Sequence, residues 1–177
     1  MAEIGKNPAA QAGGLSEPSP LTRAHDLSRF KSGKPALDDW LRNYAFESEG
    51  RTARTYVVCE QERIVVGYYC ISTGSVERRD LPPKMKRARA LPNQVPVAII
   101  GRLARDETYI GKGLGKDLLQ DAFRRILAAS KIIGVRAVLV HALDDDAVRF
   151  WKDHEFIECP IGSRTFYLSI ETIAGAI

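Results

Sequence analysis

Apolar residues recur with helical spacing in some stretches of this chain and with strand-like density in others. From Ala36 to Phe46, the residues Leu37, Trp40, Leu41, Tyr44 and Ala45 fall on one face of a helix, so an amphipathic helix with Trp40 and Tyr44 in the core is expected there. Thr55–Cys59 and Ile64–Ile71 are rich in β-branched and aromatic residues and are separated by polar Glu60–Arg63, the pattern of a hairpin. Val97–Leu103 reads as a buried strand. Asp117–Ala129 carries Leu118, Leu119, Ala122, Phe123, Ile126 and Leu127 on one stripe and predicts the clearest helix of the chain. Ala137–Ala142 is a compact strand, Asp144 or Asp145 caps a short helix running to His154, and Phe166–Ile170 supplies a last strand. Strands first and helices interleaved late imply an α/β (α+β) domain on a central mixed sheet flanked by helices.

Residues 1–20 lack this periodicity. Pro8, Gly13, Gly14, Pro18 and Pro20 stand there among Ala and Ser, the composition of a flexible tail, which leaves 21–177 as one domain. At 177 residues and 45% hydrophobic content, one core is expected. No run is apolar enough to span a membrane and no signal-peptide order opens the chain, so a soluble, cytoplasmic protein is expected. The three cysteines show no CxxC spacing and the histidines lack ligand spacing, so no metal site and no disulfide framework is indicated.

Charge is localised. Arg78, Arg79, Lys84, Lys86, Arg87 and Arg89 face only Glu77 and Asp80 in their segment, which therefore carries as much positive charge as the whole chain's +4. Such a segment suits a polyanion, although a solvated loop is the alternative. Pro82, Pro83, Pro92 and Pro96 argue against regular structure around it.

The chemistry-bearing motif is Tyr109-Ile110-Gly111-Lys112-Gly113-Leu114-Gly115-Lys116, placed between a strand and the strongest helix. Backbone amides there can face an anion, and the helix dipole adds positive potential. A dinucleotide fingerprint would need glycine in place of Lys116, and a Walker loop would need Ser or Thr in place of Asp117, so neither applies. A ligand-free glycine turn is the remaining alternative.

The run Ile100-Gly101-Arg102-Leu103-Ala104-Arg105-Asp106, the glycine turn and Asp117-Leu118-Leu119 together resemble the acetyl-CoA core of the GNAT acetyltransferases. The series His25-Asp26, Phe30, Gly33, Leu37 to Leu41, Arg54 to Val58, Val66 to Tyr69 and Gly74 to Val76 resembles, more narrowly, the toxin branch of that superfamily. The likeness covers about Leu21 to Ile173 and implies the GNAT fold. It also implies acetylation of aminoacyl-tRNA, a ribbon-helix-helix antitoxin as partner, and a homodimer.

By that resemblance, Leu103 and Ala104 hold the pantetheine and thioester of acetyl-CoA, and Ile110, Gly111, Lys112, Gly113, Leu114, Gly115 and Lys116 hold the pyrophosphate. The six cations from Arg78 to Arg89 contact tRNA phosphates. Two departures stand out. Ile110 replaces the family's usual Gln or Arg, and Trp151 stands where the family has the tyrosine that protonates the departing CoA thiolate. Indole cannot do this, and Tyr167 is a substitute acid by candidacy only. An acetyltransferase for a small amine or protein, and an acetyl-CoA- or antitoxin-binding module with little turnover, are the competing functions.

Overall fold

The structure, a computed structural model, describes residues 14–87, 89–160 and 164–177. In chain order the elements are β1 (Ser19–Pro20), α1 (Pro35–Asn43), α2 (Ala45–Ser48), β2 (Arg54–Glu60), β3 (Ile64–Glu77) and α3 (Pro83–Lys86). They continue with β4 (Gln94–Arg105), α4 (Leu114–Ser130), β5 (Ala137–His141), α5 (Asp145–Asp153), β6 (Ile157–Glu158), β7 (Thr165–Ser169) and α6 (Ile170–Ala176). The strands form one seven-stranded sheet in the order β1-β2-β3-β4-β5-β7-β6. It is mixed: β4 pairs β5 in parallel from Val97–Ala137 to Ile99–Leu139, whereas β2–β3 and β5–β7 are antiparallel.

The expected hairpin is β2–β3, closed by Gln61 and Glu62, both with positive φ (47° and 67°) although neither is glycine. The helix expected over Ala36–Phe46 is broken at Tyr44 into α1 and α2. That break turns Tyr44 out to 56% exposure, while Leu41 and Ala45 stay buried. The expectation of a core role therefore fails for Tyr44 and holds in part for Trp40, which stacks on Tyr68 at 6.0 Å.

Of the expected tail, residues 1–13 lie outside the described residues. Gly14–Pro20 is not tail-like: Ser16 exchanges hydrogen bonds with Cys59 through its backbone N–H (2.8 Å) and its hydroxyl (2.9 Å), and Ser19–Pro20 pairs with β2. Backbone pairing to a sheet edge requires no apolar periodicity, so the sequence pattern did not reveal it. Prolines likewise failed to exclude regular structure. Pro83 occupies the first turn of α3, where its missing N–H has no role, and Pro96 lies within β4.

Contacts divide the chain into two compact units, one comprising the chain to Ile71 with Arg102–Ala122, the other Ser72–Gly101 with Phe123–Ile177. The first is built around Phe30, Leu41, Val57, Tyr68 and Ala104. The second is built around Leu81, Met85, Val97, Leu139 and Tyr167.

Candidate active site

In the first unit, β4 ends at Arg105 and Asp106 starts the approach to the glycine turn. The Asp106 carboxylate accepts from the Thr108 N–H (3.0 Å) and hydroxyl (2.7 Å), forming a short 3₁₀ turn over Glu107–Tyr109. Burial works to raise its carboxyl, but the hydrogen bonds from Thr108 and Lys31 outweigh it and hold the group below the ordinary carboxylate value. The Tyr109 hydroxyl donates to Glu60 at 2.8 Å and is pushed up to about 12 by burial, then by that bond and the Glu60 charge.

Gly111 and Gly113 both take left-handed backbone, with φ of 74° and 83°. A Cβ built on either meets nothing within 4 Å, so the space beside this backbone is open. The first intrahelical hydrogen bond of α4 runs from the Asp117 N–H to the Gly113 carbonyl at 3.1 Å. The N–H groups of Leu114, Gly115 and Lys116 therefore have no acceptor within the helix and point from its positive end. Open space, a stripped backbone and helix-end amides suit a pyrophosphate, so the residues present fit acetyl-CoA. One amide differs from expectation: the Lys112 N–H donates to the Tyr109 carbonyl at 3.3 Å, and its ammonium lies 5.1 Å over the Tyr109 ring. Ile110 is 57% exposed and brings no polar group to the turn.

The start of α4 is fixed against β3. A Cβ on Gly67 would lie 3.1 Å from Leu118 Cδ1 and 3.2 Å from Leu114 Cδ2, so the helix approaches the strand as closely as a missing side chain permits. On β4, Ala104 is buried and packs into the first unit's core, whereas Leu103 is half-buried. Both follow the stretch of β4 that pairs with β5.

The other expected site residues belong to the second unit. α5 begins where the Asp144 carboxylate accepts from the Ala147 N–H at 2.9 Å, and this register buries Trp151. Its ring meets Phe150 and Phe156 edge-on at 5.0 and 5.1 Å. Tyr167 is buried beside Leu81, Met85 and Cys159, and burial, followed by the Cys159 and Asp80 charges, pushes its phenol up to about 12. A phenol held there transfers its proton to a thiolate uphill, since a thiol ordinarily titrates near ~8.5. Its surroundings are those of a packing residue.

The basic segment is also ordered. Leu81 and Met85 are buried anchors, and the Cys159 thiol donates to the Asp80 carbonyl at 3.0 Å. The six cations separate into two sets. Arg79 pairs with Glu77 (2.5 Å) and Asp80 (3.8 Å), and Arg78 donates to the Leu91 carbonyl at 3.4 Å, so both are engaged locally although both are exposed. Lys84, Arg87 and Arg89 are exposed, and Lys86 is half-buried.

The model of the acetyltransferase (GNAT) family matches residues 21–156, more than half of the chain and including the whole glycine turn. The chain belongs to the GNAT acetyltransferase family. It is 42% identical over 144 residues to the "tRNA-acetylating toxin" of Mycobacterium tuberculosis (strain ATCC 25618 / H37Rv), covering 81% of this chain and 85% of that one. AtaT complexed with acetyl-methionyl-tRNAfMet superposes with a TM-score of 0.83 at 28% identity, covering 92% of this chain and 98% of that chain. A tyrosine-to-phenylalanine mutant of AtaT, bound to the C-terminus of the antitoxin AtaR and acetyl-CoA, gives 0.78 at 28% identity, with 92% and 98% covered. As a GNAT member, the chain is an acetyl-CoA-dependent N-acetyltransferase.

Sequence reasoning located the glycine turn but gave no part in holding it to Gly67 or Asp106, which it quoted only within longer motifs, and did not name Lys31. The Asp-x-Thr spacing of Asp106 and Thr108 is a turn signal that could have found the second of these.

Proposed function

We propose that this chain is a toxin that transfers acetyl from acetyl-CoA to the α-amine of aminoacyl-tRNA and thereby blocks translation. The observation that carries the reading is the fixed basic segment in a GNAT chain: Leu81 and Met85 anchor it, and Lys84, Arg87 and Arg89 extend from it as exposed cations. Exposed cations on an anchored segment attract phosphates through counterion release and position a nucleic acid without reading its bases. The 42% identity to a protein named for tRNA acetylation supports the same acceptor.

Acetyl-CoA supplies an activated thioester. The chain's residues bind and orient it through amides of Gly111 and Gly113–Lys116 and the backbone around Leu103 and Ala104, where an N–H donor can polarise the thioester carbonyl. An unperturbed α-amine titrates near ~8 and a lysine side chain near ~10.4, so the aminoacyl amine is substantially neutral at physiological pH and attacks without a strong base. Trp151 supplies no acid for loss of the thiolate, so the anion of a thiol near ~8.5 departs without general-acid assistance and takes its proton from water.

A ribbon-helix-helix antitoxin is the proposed inhibitor, a homodimer the proposed assembly and the cytoplasm, where tRNA is charged, the proposed location. Residues 21–177 form the proposed catalytic domain. Incubation of the protein with radiolabelled acetyl-CoA tests the acceptor: label should appear in RNA with charged tRNA and not with deacylated tRNA. Equal labelling of spermidine or of protein lysines would instead favour a small-amine or protein acetyltransferase.

A further inference from the structure

The Asp106 carboxylate does more than close its local turn. One oxygen is fully engaged by Thr108, but the other accepts the backbone N–H of Lys31 at 2.9 Å, across 75 residues of chain. The next residue repeats the link: the Glu107 N–H donates to the Lys31 carbonyl at 2.8 Å, and the Lys31 ammonium lies 3.2 Å from the Glu107 carboxylate. The Asp106 N–H in turn donates to the Val66 carbonyl on β3 at 2.7 Å.

Lys31 is itself held from both sides. On one side Phe30 is buried, and its carbonyl accepts from the Arg42 guanidinium at 2.7 Å. On the other, the Ser32 N–H donates to the buried Asp38 carboxylate of α1 at 3.0 Å, and its hydroxyl does so at 2.5 Å. Asp106 thus fastens the entry to the glycine turn to an immobilised backbone rather than to a loose loop. A local Asp-x-Thr turn needs only the Thr108 contacts, so the Lys31 bond requires a separate account.

We propose that Asp106 is a positioning residue for acetyl-CoA, holding the amides of Gly111 and Gly113–Lys116 in their binding arrangement through the Lys31 backbone before the ligand arrives. The inference rests on the reading of that turn as the pyrophosphate site. Donors fixed in advance lose less freedom on binding, so the effect belongs to affinity rather than to the chemical step.

Asp106→Asn tests this with little change in volume. An amide presents only one acceptor oxygen, so it can serve Thr108 or Lys31 but not both. Acetyl-CoA affinity by calorimetry should fall by roughly tenfold, the scale of one charge-assisted hydrogen bond, with kcat at saturating acetyl-CoA nearly unchanged. Hydrogen exchange at the Gly113–Lys116 amides of the ligand-free protein should accelerate. Asp106→Glu, which keeps the charge but moves the carboxylate by one methylene and so misplaces the Lys31 acceptor, should shift both readouts in the same direction and decides the matter if the first variant does not fold. Unchanged affinity and unchanged exchange in a folded Asp106→Asn protein, or in Asp106→Glu where the first is unfolded, would overturn the proposal. Gly113→Ala separates the two claims. If it leaves affinity intact, the pyrophosphate site itself is misplaced. If it weakens binding while Asp106→Asn does not, only the role of Asp106 fails.

Discussion

Gly67 on β3 faces Leu114 at the start of α4 so closely that a Cβ at Gly67 would come within 3.2 Å of the leucine Cδ2. Leu114 lies within Gly113–Lys116, the run of backbone amides assigned to the pyrophosphate. Pressure from beneath it displaces those donors. Gly67→Ala should cost about 1–3 kcal/mol of stability by overpacking and weaken acetyl-CoA binding more than an equally destabilising change in the second unit. Denaturant unfolding combined with calorimetry checks both parts. Reduced stability with wild-type affinity would show that the helix start is not pinned by this contact.

The two sets of basic residues should differ on tRNA. Charge reversal at Arg87 and Arg89 is expected to weaken tRNA binding and to reduce the slope of log affinity against log salt by roughly two, one for each phosphate no longer neutralised. Neutralising Arg79, whose guanidinium already pairs with Glu77 and Asp80, should leave that slope nearly unchanged. Equal effects from both variants, measured by filter binding across a salt series, would contradict the assignment.

Trp151 gives a directional test of the leaving-group step. If a phenol at this position reaches the departing thiolate, Trp151→Tyr should raise single-turnover acetyl transfer within the ~10²–10⁴-fold range of general acid catalysis. Trp151→Phe should not, and both variants should be somewhat less stable because the ring is buried against Phe150 and Phe156. Equal rates in wild type and the tyrosine variant would mean that thiolate departure is not limiting.

Acid should loosen the cofactor turn. The Asp106 carboxyl titrates below its ordinary value of 3.8 in the folded chain, so its stabilising contribution is complete at neutral pH and disappears as pH falls below that value. Acid unfolding monitored by circular dichroism should therefore show a shallower dependence in Asp106→Asn than in wild type. A steeper dependence would mean that the ionised carboxylate does not stabilise the fold.

Much of this arrangement was legible in the residues. The apolar stripe of α4, the β-branched density of β2 and β3 and the alternating glycines each encode a local preference that the fold respects, although α4 begins at Leu114, three residues before the periodic stripe. What escaped is held by contacts distant in sequence. Nothing local distinguishes Lys31 as the partner of Asp106, or Ser16 as the partner of Cys59. The turn at Gln61 and Glu62 uses left-handed backbone without glycine or asparagine, so no residue type announced it. Arg79 and Arg87 are chemically alike, and only the nearby carboxylates distinguish their roles.

Acetylation of the aminoacyl α-amine is tested most directly by mass spectrometry of the product. Charged tRNA treated with the protein and acetyl-CoA, then digested with ribonuclease, should release a 3′-terminal adenosine bearing an N-acetylated amino acid. The product should be reduced sharply with Gly113→Ala and retained with Gly14→Ala, a control at another left-handed glycine (φ 70°) with open space around it. Recovery of only unmodified aminoacyl-adenosine from the wild-type reaction, with acetyl-CoA demonstrably bound, would contradict the account.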